Sequence, residues 1–185
     1  TQTAIEGTTS YSLVEGETYT YTVSKADYLT KSGTITVSGD ETITVTLTYA
    51  GKSWDGTATE PTTKNGVYQI KNAAELAWFA AKVNGGDAAI NAELTDNINL
   101  NGKTWTAIKS YAGTFDGGNH LVSGLVGESG LFDSIAAAGT VKNLNVSGTI
   151  SNTGYKDMGM LANVSAGTIE NCFTSGTVTQ GYVGT

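Results

Sequence analysis

The sequence predicts an all-β chain: a small antiparallel β-sandwich, short of strands, followed by a parallel β-helix with one N-terminal capping α-helix. Three observations point there. Residues 139–150 and 167–178 read GTVKNLNVSGTI and GTIENCFTSGTV, so matching positions lie 28 apart. A fixed period in this range, with strand-forming residues and repeated glycines, marks stacked repeats. Residues 18–49 alternate apolar or aromatic side chains with threonine, the period of a strand with one half-buried face. Glycine occurs 24 times and proline once, which suits turn-rich β structure.

The first strands read Tyr11 to Leu13, Thr18 to Val23, Gly33 to Val37 and Glu41 to Tyr49. Turn formers separate them at Glu15-Gly16-Glu17, Lys25-Ala26-Asp27 and Ser38-Gly39-Asp40. Four strands this short bury little apolar surface. Residues 1–50 are therefore expected as a minimal sandwich. Residues 51–66 hold Pro61 among threonines and small residues and are expected as a link. Trp54 within it is expected to pack rather than to stack on a sugar.

The second domain is expected over 67–185, opening with a short strand at Val67 to Ile70. Asn72 followed three residues later by Glu75 is a capping box. Leu76, Phe79, Ala80 and Val83 then follow at helical spacing, and Asn84-Gly85-Gly86 ends the run. A helix over 73–84 would cover the open end of the first coil.

Coils are expected from 92 to 185. Ala92 to Leu94 and Asn97 to Leu100 flank a turn at Thr95-Asp96. Gly113 and Phe115 lie 26 residues before Gly139 and Val141, a third and looser copy. Within a coil Val141, Leu144 and Val146 point inward. Asn143 must break the alternation, and asparagine tolerates the left-handed backbone this requires. Asn171 is expected to stack on Asn143, and Cys172 on Leu144, both of that second pair buried. A lone cysteine allows no internal disulfide and no CxxC metal site. The chain has no initiating methionine and is expected to break off in an unfinished coil after Gly181.

The net charge is −7, and all ten basic residues are lysine. That argues against nucleic acid, where arginine forks and basic patches carry the contacts. No apolar run reaches the length of a membrane span. Asp116, Asp133, Asp157 and Glu170 are the carboxylates to test for polysaccharide chemistry, which needs two of them facing one groove. Asp116 lies in a glycine-rich corner, and the counterpart of Asp133 in the next copy is Ala162 or Asn163. No catalytic residue, metal site or cofactor is assigned. His120 is the single histidine and reads as a turn residue. Tyr111, Tyr155 and Tyr182 are expected to be exposed anchors for a host or cell-surface protein or a glycan.

Two resemblances extend this reading. Gly16 to Val23 and Tyr28 to Val37 carry "G-x-x-Y-x-Y-x-V" and "Y…G-x-I-x-V", which resembles the sandwich modules of the carboxypeptidase-regulatory and PEGA kind. Such modules imply a spacer or stalk on an exported protein, and another strand usually precedes this point in them. From about residue 54 onward the chain resembles bacterial surface proteins with GLUG-type repeats. The residues are YQIKNAAELAWFA (68–80), LTDNINL (94–100), YAGTFDGGNH (111–120), and Gly130-Leu131-Phe132 with VKNLNVSG (141–148). Ile169 to Gly176 and Gly181 to Gly184 are similar to the GLUG motif itself, which departs at Thr185. That resemblance implies a right-handed parallel β-helix, export, and cell-surface display in adhesin-like architectures. It implies no activity. The expected function is a non-enzymatic structural or adhesive module, secreted or on the surface of a bacterium. The alternatives are a carbohydrate-binding or polysaccharide-processing β-helix, or an accessory module of a larger secreted enzyme.

Overall fold

The computed structural model describes residues 11–154 and 157–181. The chain divides into two compact units, Thr1–Thr48 and Tyr49–Thr185. Strands dominate both, with one helix among the described residues.

In the first unit β1 (Thr18–Val23) pairs antiparallel with β2 (Lys31–Thr36), Thr18 opposite Thr36 and Val23 opposite Lys31. Tyr19, Tyr21 and Val23 are half-buried on one face, and the threonines between them are exposed. Hydroxyl pairs Thr18–Thr36 (2.9 Å) and Thr22–Ser32 (3.0 Å) tie the polar face. The expected strands at Tyr11 to Leu13 and Glu41 to Tyr49 do not form: Tyr11 to Val14 and Glu41 to Thr48 lie outside any strand. Leu29 N–H donates to Thr48 O at 2.9 Å, while Ile43 stays 46% exposed. No described residue of this unit is buried. Alternation alone does not make a strand where too little apolar surface is present to hold its edge. The described part is a hairpin rather than a sandwich.

The second unit holds the core. β3 (Thr62–Lys64) and β4 (Val67–Ile70) form an antiparallel hairpin. Its turn is Asn65-Gly66, both with positive φ (52° and 78°). After α1 (Ala73–Asn84) come β5 (Asn91–Leu94), β6 (Ile98–Asn99), β7 (Thr114–Asp116), β8 (Leu121–Gly127) and β9 (Phe132–Ile135). Then follow β10 (Thr140–Lys142), β11 (Asn145–Asn152), β12 (Ala162–Ser165), β13 (Thr168–Glu170) and β14 (Phe173–Gln180). They make a six-stranded sheet in the order β13-β10-β7-β5-β4-β3, a four-stranded sheet β14-β11-β8-β6, and a pair β12-β9. Apart from β3 with β4, the pairs in these sheets are parallel.

The registers follow the repeat. Val141 lies between Phe115 and Ile169, offsets of 26 and 28. Gly148 pairs with Gly176 and Ile150 with Val178. Val141, Leu144, Val146 and Ile150 are buried. Asn143 and Asn171 both have left-handed backbone, φ 52° and 50°. Their amides run along the stack: Asn143 Nδ2 donates to Asp116 Oδ1 (3.0 Å) and Asn171 Nδ2 to Asn143 Oδ1 (3.4 Å). Leu144 is fully buried, whereas Cys172 is only half-buried, because β14 is the last strand of its sheet. Burial still pushes the Cys172 thiol pKa up, and Sγ lies 3.2 Å from Glu170 O.

The helix spans the expected residues. Asn72 Oδ1 accepts from Glu75 N–H at 3.0 Å. The Glu75 carboxylate reaches back one residue past the cap, to Lys71 N–H at 2.8 Å. Leu76, Phe79, Ala80 and Val83 turn into the core, and Phe79 meets Tyr111 and Phe115 with ring centroids 6.0 and 5.8 Å away. Asn72→Ala removes the cap acceptor and is expected to cost about 1 kcal/mol, read as a lower urea midpoint.

Residues 51–66, expected as a link, belong to the second unit. The Trp54 backbone N–H donates to Asn99 O (3.0 Å), its indole N–H donates to Thr57 O (2.7 Å), and its ring meets Trp105 edge-on at 6.2 Å. Trp54 therefore packs, as its sequence setting suggests.

Candidate functional site

Parallel pairing places side chains of equal phase in rows along a sheet. On the six-stranded sheet Gln69, Glu93, Asp116, Lys142 and Glu170 occupy successive register positions. Their strand neighbours alternate with them: Ile70, Ala92, Leu94, Phe115 and Val141 are buried, so this row faces away from the core. Adjacent strands lie about 4.8 Å apart, which sets the spacing of the row. Val67, Asn91, Ala92, Glu93, Thr114, Asp116 and Lys142 line a shallow cleft of about 280 Å³ over it.

Asp116 is the most heavily engaged group. Its carboxylate accepts from Gly118 N–H (3.0 Å) and Asn143 Nδ2 (3.0 Å), and Lys142 Nζ lies 3.2 Å away. Desolvation pushes its pKa up, but the Gly118, Asn143 and Lys142 contacts outweigh it and hold the carboxyl below the ordinary aspartate value. Glu93 accepts a long bond from Gln69 Nε2 at 3.4 Å. Asn91 Oδ1 accepts from Thr114 N–H at 2.7 Å. The face offers carboxylate acceptors beside one ammonium group. That chemistry suits hydrogen bonding to hydroxyl-rich or mixed-charge surfaces.

A folded-state pKa below the unfolded one means stabilisation present at neutral pH and lost as acid protonates the group. The chain is expected to lose stability as pH falls below about 4, the ordinary aspartate value. Asp116→Asn should lose less over that window, as seen in urea midpoints at pH 6 and pH 3.

The sequence-derived carboxylates do not converge. Asp116 and Glu170 share the row with Lys142 between them. Asp133 sits on β9, in another sheet, and accepts from Asn163 Nδ2 at 3.1 Å. Asp157 lies in no strand. Among the described residues no three of His, Cys, Asp and Glu gather as metal ligands. His120 is half-exposed, and its backbone N–H donates to Gly117 O at 2.8 Å, closing the turn.

Tyr111 corrects an expectation. It is fully buried, its hydroxyl donates to Ile90 O at 2.9 Å, and its ring packs on Phe79, Phe115 and Phe132. Burial pushes its pKa up. It is a core residue because its isolated pairing with Ile135 turns it inward, against the rings of three neighbouring segments. Tyr155 and Tyr182 lie outside the described residues. Sequence reasoning missed Glu93 and Gln69. The signal was present in Ala92-Glu93-Leu94 and Gln69-Ile70, where a polar residue alternates with buried ones.

No helix among the described residues is long and apolar enough to cross a membrane. No family model matches the chain, and no solved structure matches it. Among curated proteins the chain is similar to Halomucin from Haloquadratum walsbyi, 31% identical over 152 residues. The match covers 72% of this chain and 2% of that far longer relative. That organism is an archaeon, so the expected bacterial source draws no support from the similarity.

Proposed function

We propose that the second unit is a stretch of right-handed parallel β-helix akin to the GLUG-repeat surface proteins, and that it is a structural and adhesive module of an exported protein. The observation that carries this reading is the in-register parallel pairing at offsets of 26 and 28 residues. Such stacking extends a flat face without needing a catalytic constellation. The row from Gln69 to Glu170 is the face that meets a glycan or a surface protein. The hairpin of the first unit, with its PEGA-like residues, is the stalk. The test is a binding screen of the folded chain against polysaccharides and cell-surface proteins, with reducing ends assayed in parallel. Binding without release of reducing ends, weakened at least tenfold by Glu93→Lys with Lys142→Glu, is expected. No binding partner, or binding indifferent to both changes, contradicts the adhesive role.

A second reading, a polysaccharide-processing surface, is favoured by the adjacency of Glu93 and Asp116 across β5 and β7 beneath the cleft. Reducing ends released by the wild type and not by Glu93→Gln would establish it in place of the first.

A further inference from the structure

Three asparagine–glycine pairs occur in the chain, at 65–66, 84–85 and 101–102. Such a pair carries its own reagents. The glycine nitrogen can reach the carbonyl carbon of the asparagine side chain, and glycine has no Cβ to screen that approach. All these residues are exposed, so exposure does not distinguish the pairs. Hydrogen bonding does. At 84–85 both reactants are held: Asn84 Nδ2 donates to Ala107 O (3.1 Å), its Oδ1 accepts from Lys109 N–H (2.8 Å), and Gly85 N–H donates to Ala81 O (2.9 Å). At 101–102 Asn101 Nδ2 donates to Trp54 O (3.2 Å) and Gly102 N–H donates to Gly124 O (3.1 Å). At 65–66 neither reactant is held. Among the described residues the Asn65 amide and the Gly66 N–H have no hydrogen-bond partner. A Cβ built at Gly66 would meet nothing within 4 Å, so the turn has room to rearrange. The pair is the two-residue turn between β3 and β4, left-handed at both positions, the type I′ pattern. Here the turn alone must move for Gly66 N to reach Asn65 Cγ. At the other two pairs, bonds to other segments must break first.

We propose that Asn65-Gly66 is a self-modification site, at which the chain deamidates spontaneously and thereby unlatches β3. Gly66 N gives its proton to hydroxide and attacks Asn65 Cγ. The N–Cγ bond forms, the Cγ–Nδ2 bond breaks, and Nδ2 leaves as ammonia with a proton from water. Water then opens the five-membered imide. Addition at Cγ leaves aspartate, and addition at the main-chain carbonyl leaves isoaspartate. The net change is water in and ammonia out, with no oxidant or reductant. In isoaspartate the main chain runs through Cβ and Cγ and is one atom longer. Turn type and loop length fix the register of a hairpin. The longer turn therefore cannot close the Lys64–Val67 pair. β3 is terminal in its sheet and pairs there with β4, which keeps its parallel pairing with β5 when β3 leaves. This inference stands apart from the adhesive reading.

The test is incubation of the full chain in mildly alkaline buffer at physiological temperature, folded and in urea, followed by peptide mapping. Electron-transfer fragmentation separates isoaspartate from aspartate. In the folded chain 65–66 is expected to convert at least tenfold faster than 84–85 or 101–102. In urea the three rates should come together, because the bonds that hold the other two pairs are gone. The aged chain should show faster amide exchange at Thr62 to Lys64, with exchange in α1 and β11 unchanged. Freshly prepared Asn65→Asp carries the new charge on an ordinary backbone, and aspartate tolerates the left-handed position. It should keep β3 protected. Equal rates at the three pairs in the folded chain, or faster conversion at 84–85 or 101–102, overturn the proposal. So does a folded chain in which 65–66 stays intact while the unfolded chain reacts. Conversion to isoaspartate that leaves the β3 amides protected, or Asn65→Asp that loses their protection, overturns the release of β3 by a lengthened turn.

Discussion

Phe115→Ala is expected to destabilise the second unit by about 3–5 kcal/mol. Phe115 is fully buried between Ala92 of β5 and Val141 of β10. Its ring lies 5.8 Å from Phe79, 5.6 Å from Phe132 and 6.5 Å from Tyr111. It therefore joins α1 to the neighbouring strands β5 and β10. The hole left by alanine cannot close, because parallel ladders hold the backbone on both sides at fixed spacing. Tyr111→Phe is the informative contrast. It keeps the ring and loses only the bond to Ile90 O, for about 1 kcal/mol. Urea midpoints from tryptophan fluorescence compare the two directly, since all three tryptophans lie in the second unit.

Gly148→Ala is expected to cost about 3 kcal/mol, the upper part of the range for overpacking. A Cβ at Gly148 would stand 2.1 Å from Leu125 O and 2.7 Å from Leu125 Cβ. Those atoms belong to β8, and β14 holds Gly148 from the other side through Gly176. Neither neighbour can move without breaking its ladder. Gly127→Ala, at the end of β8, is the control. Its nearest obstacle is Trp105 O at 3.4 Å, ordinary contact, and its effect should stay within about 0.5 kcal/mol. The same reasoning explains why glycine recurs at 148 and 176: an inward position where the layers approach too closely for any side chain.

Much of the second unit was legible because its repeat is a physical constraint. Positions 28 apart must tolerate the same neighbours, so Ile169 beside Val141 and Asn171 beside Asn143 were readable from spacing and the left-handed tolerance of asparagine. α1 was readable because its start is fixed locally: Asn72 accepts from Glu75 N–H and the Glu75 carboxylate accepts from Lys71 N–H. The first unit was not, since its threonine alternation fits a strand whether or not a partner edge exists. Tyr111 misled for a related reason. An aromatic set between Ser110 and Ala112-Gly113 resembles a loop anchor, and nothing local reveals that Phe79, 32 positions earlier, returns to cover it. Outward rows such as Gln69 to Glu170 become visible only once strand register is known.

Nuclear Overhauser contacts between backbone protons of β11 and β14 test the layered arrangement most directly. Parallel stacking predicts contacts between residues whose numbers differ by a constant 28, from Asn145 with Phe173 to Asn152 with Gln180. Contacts whose numbers instead sum to a constant would make the two similar stretches a hairpin and contradict the account.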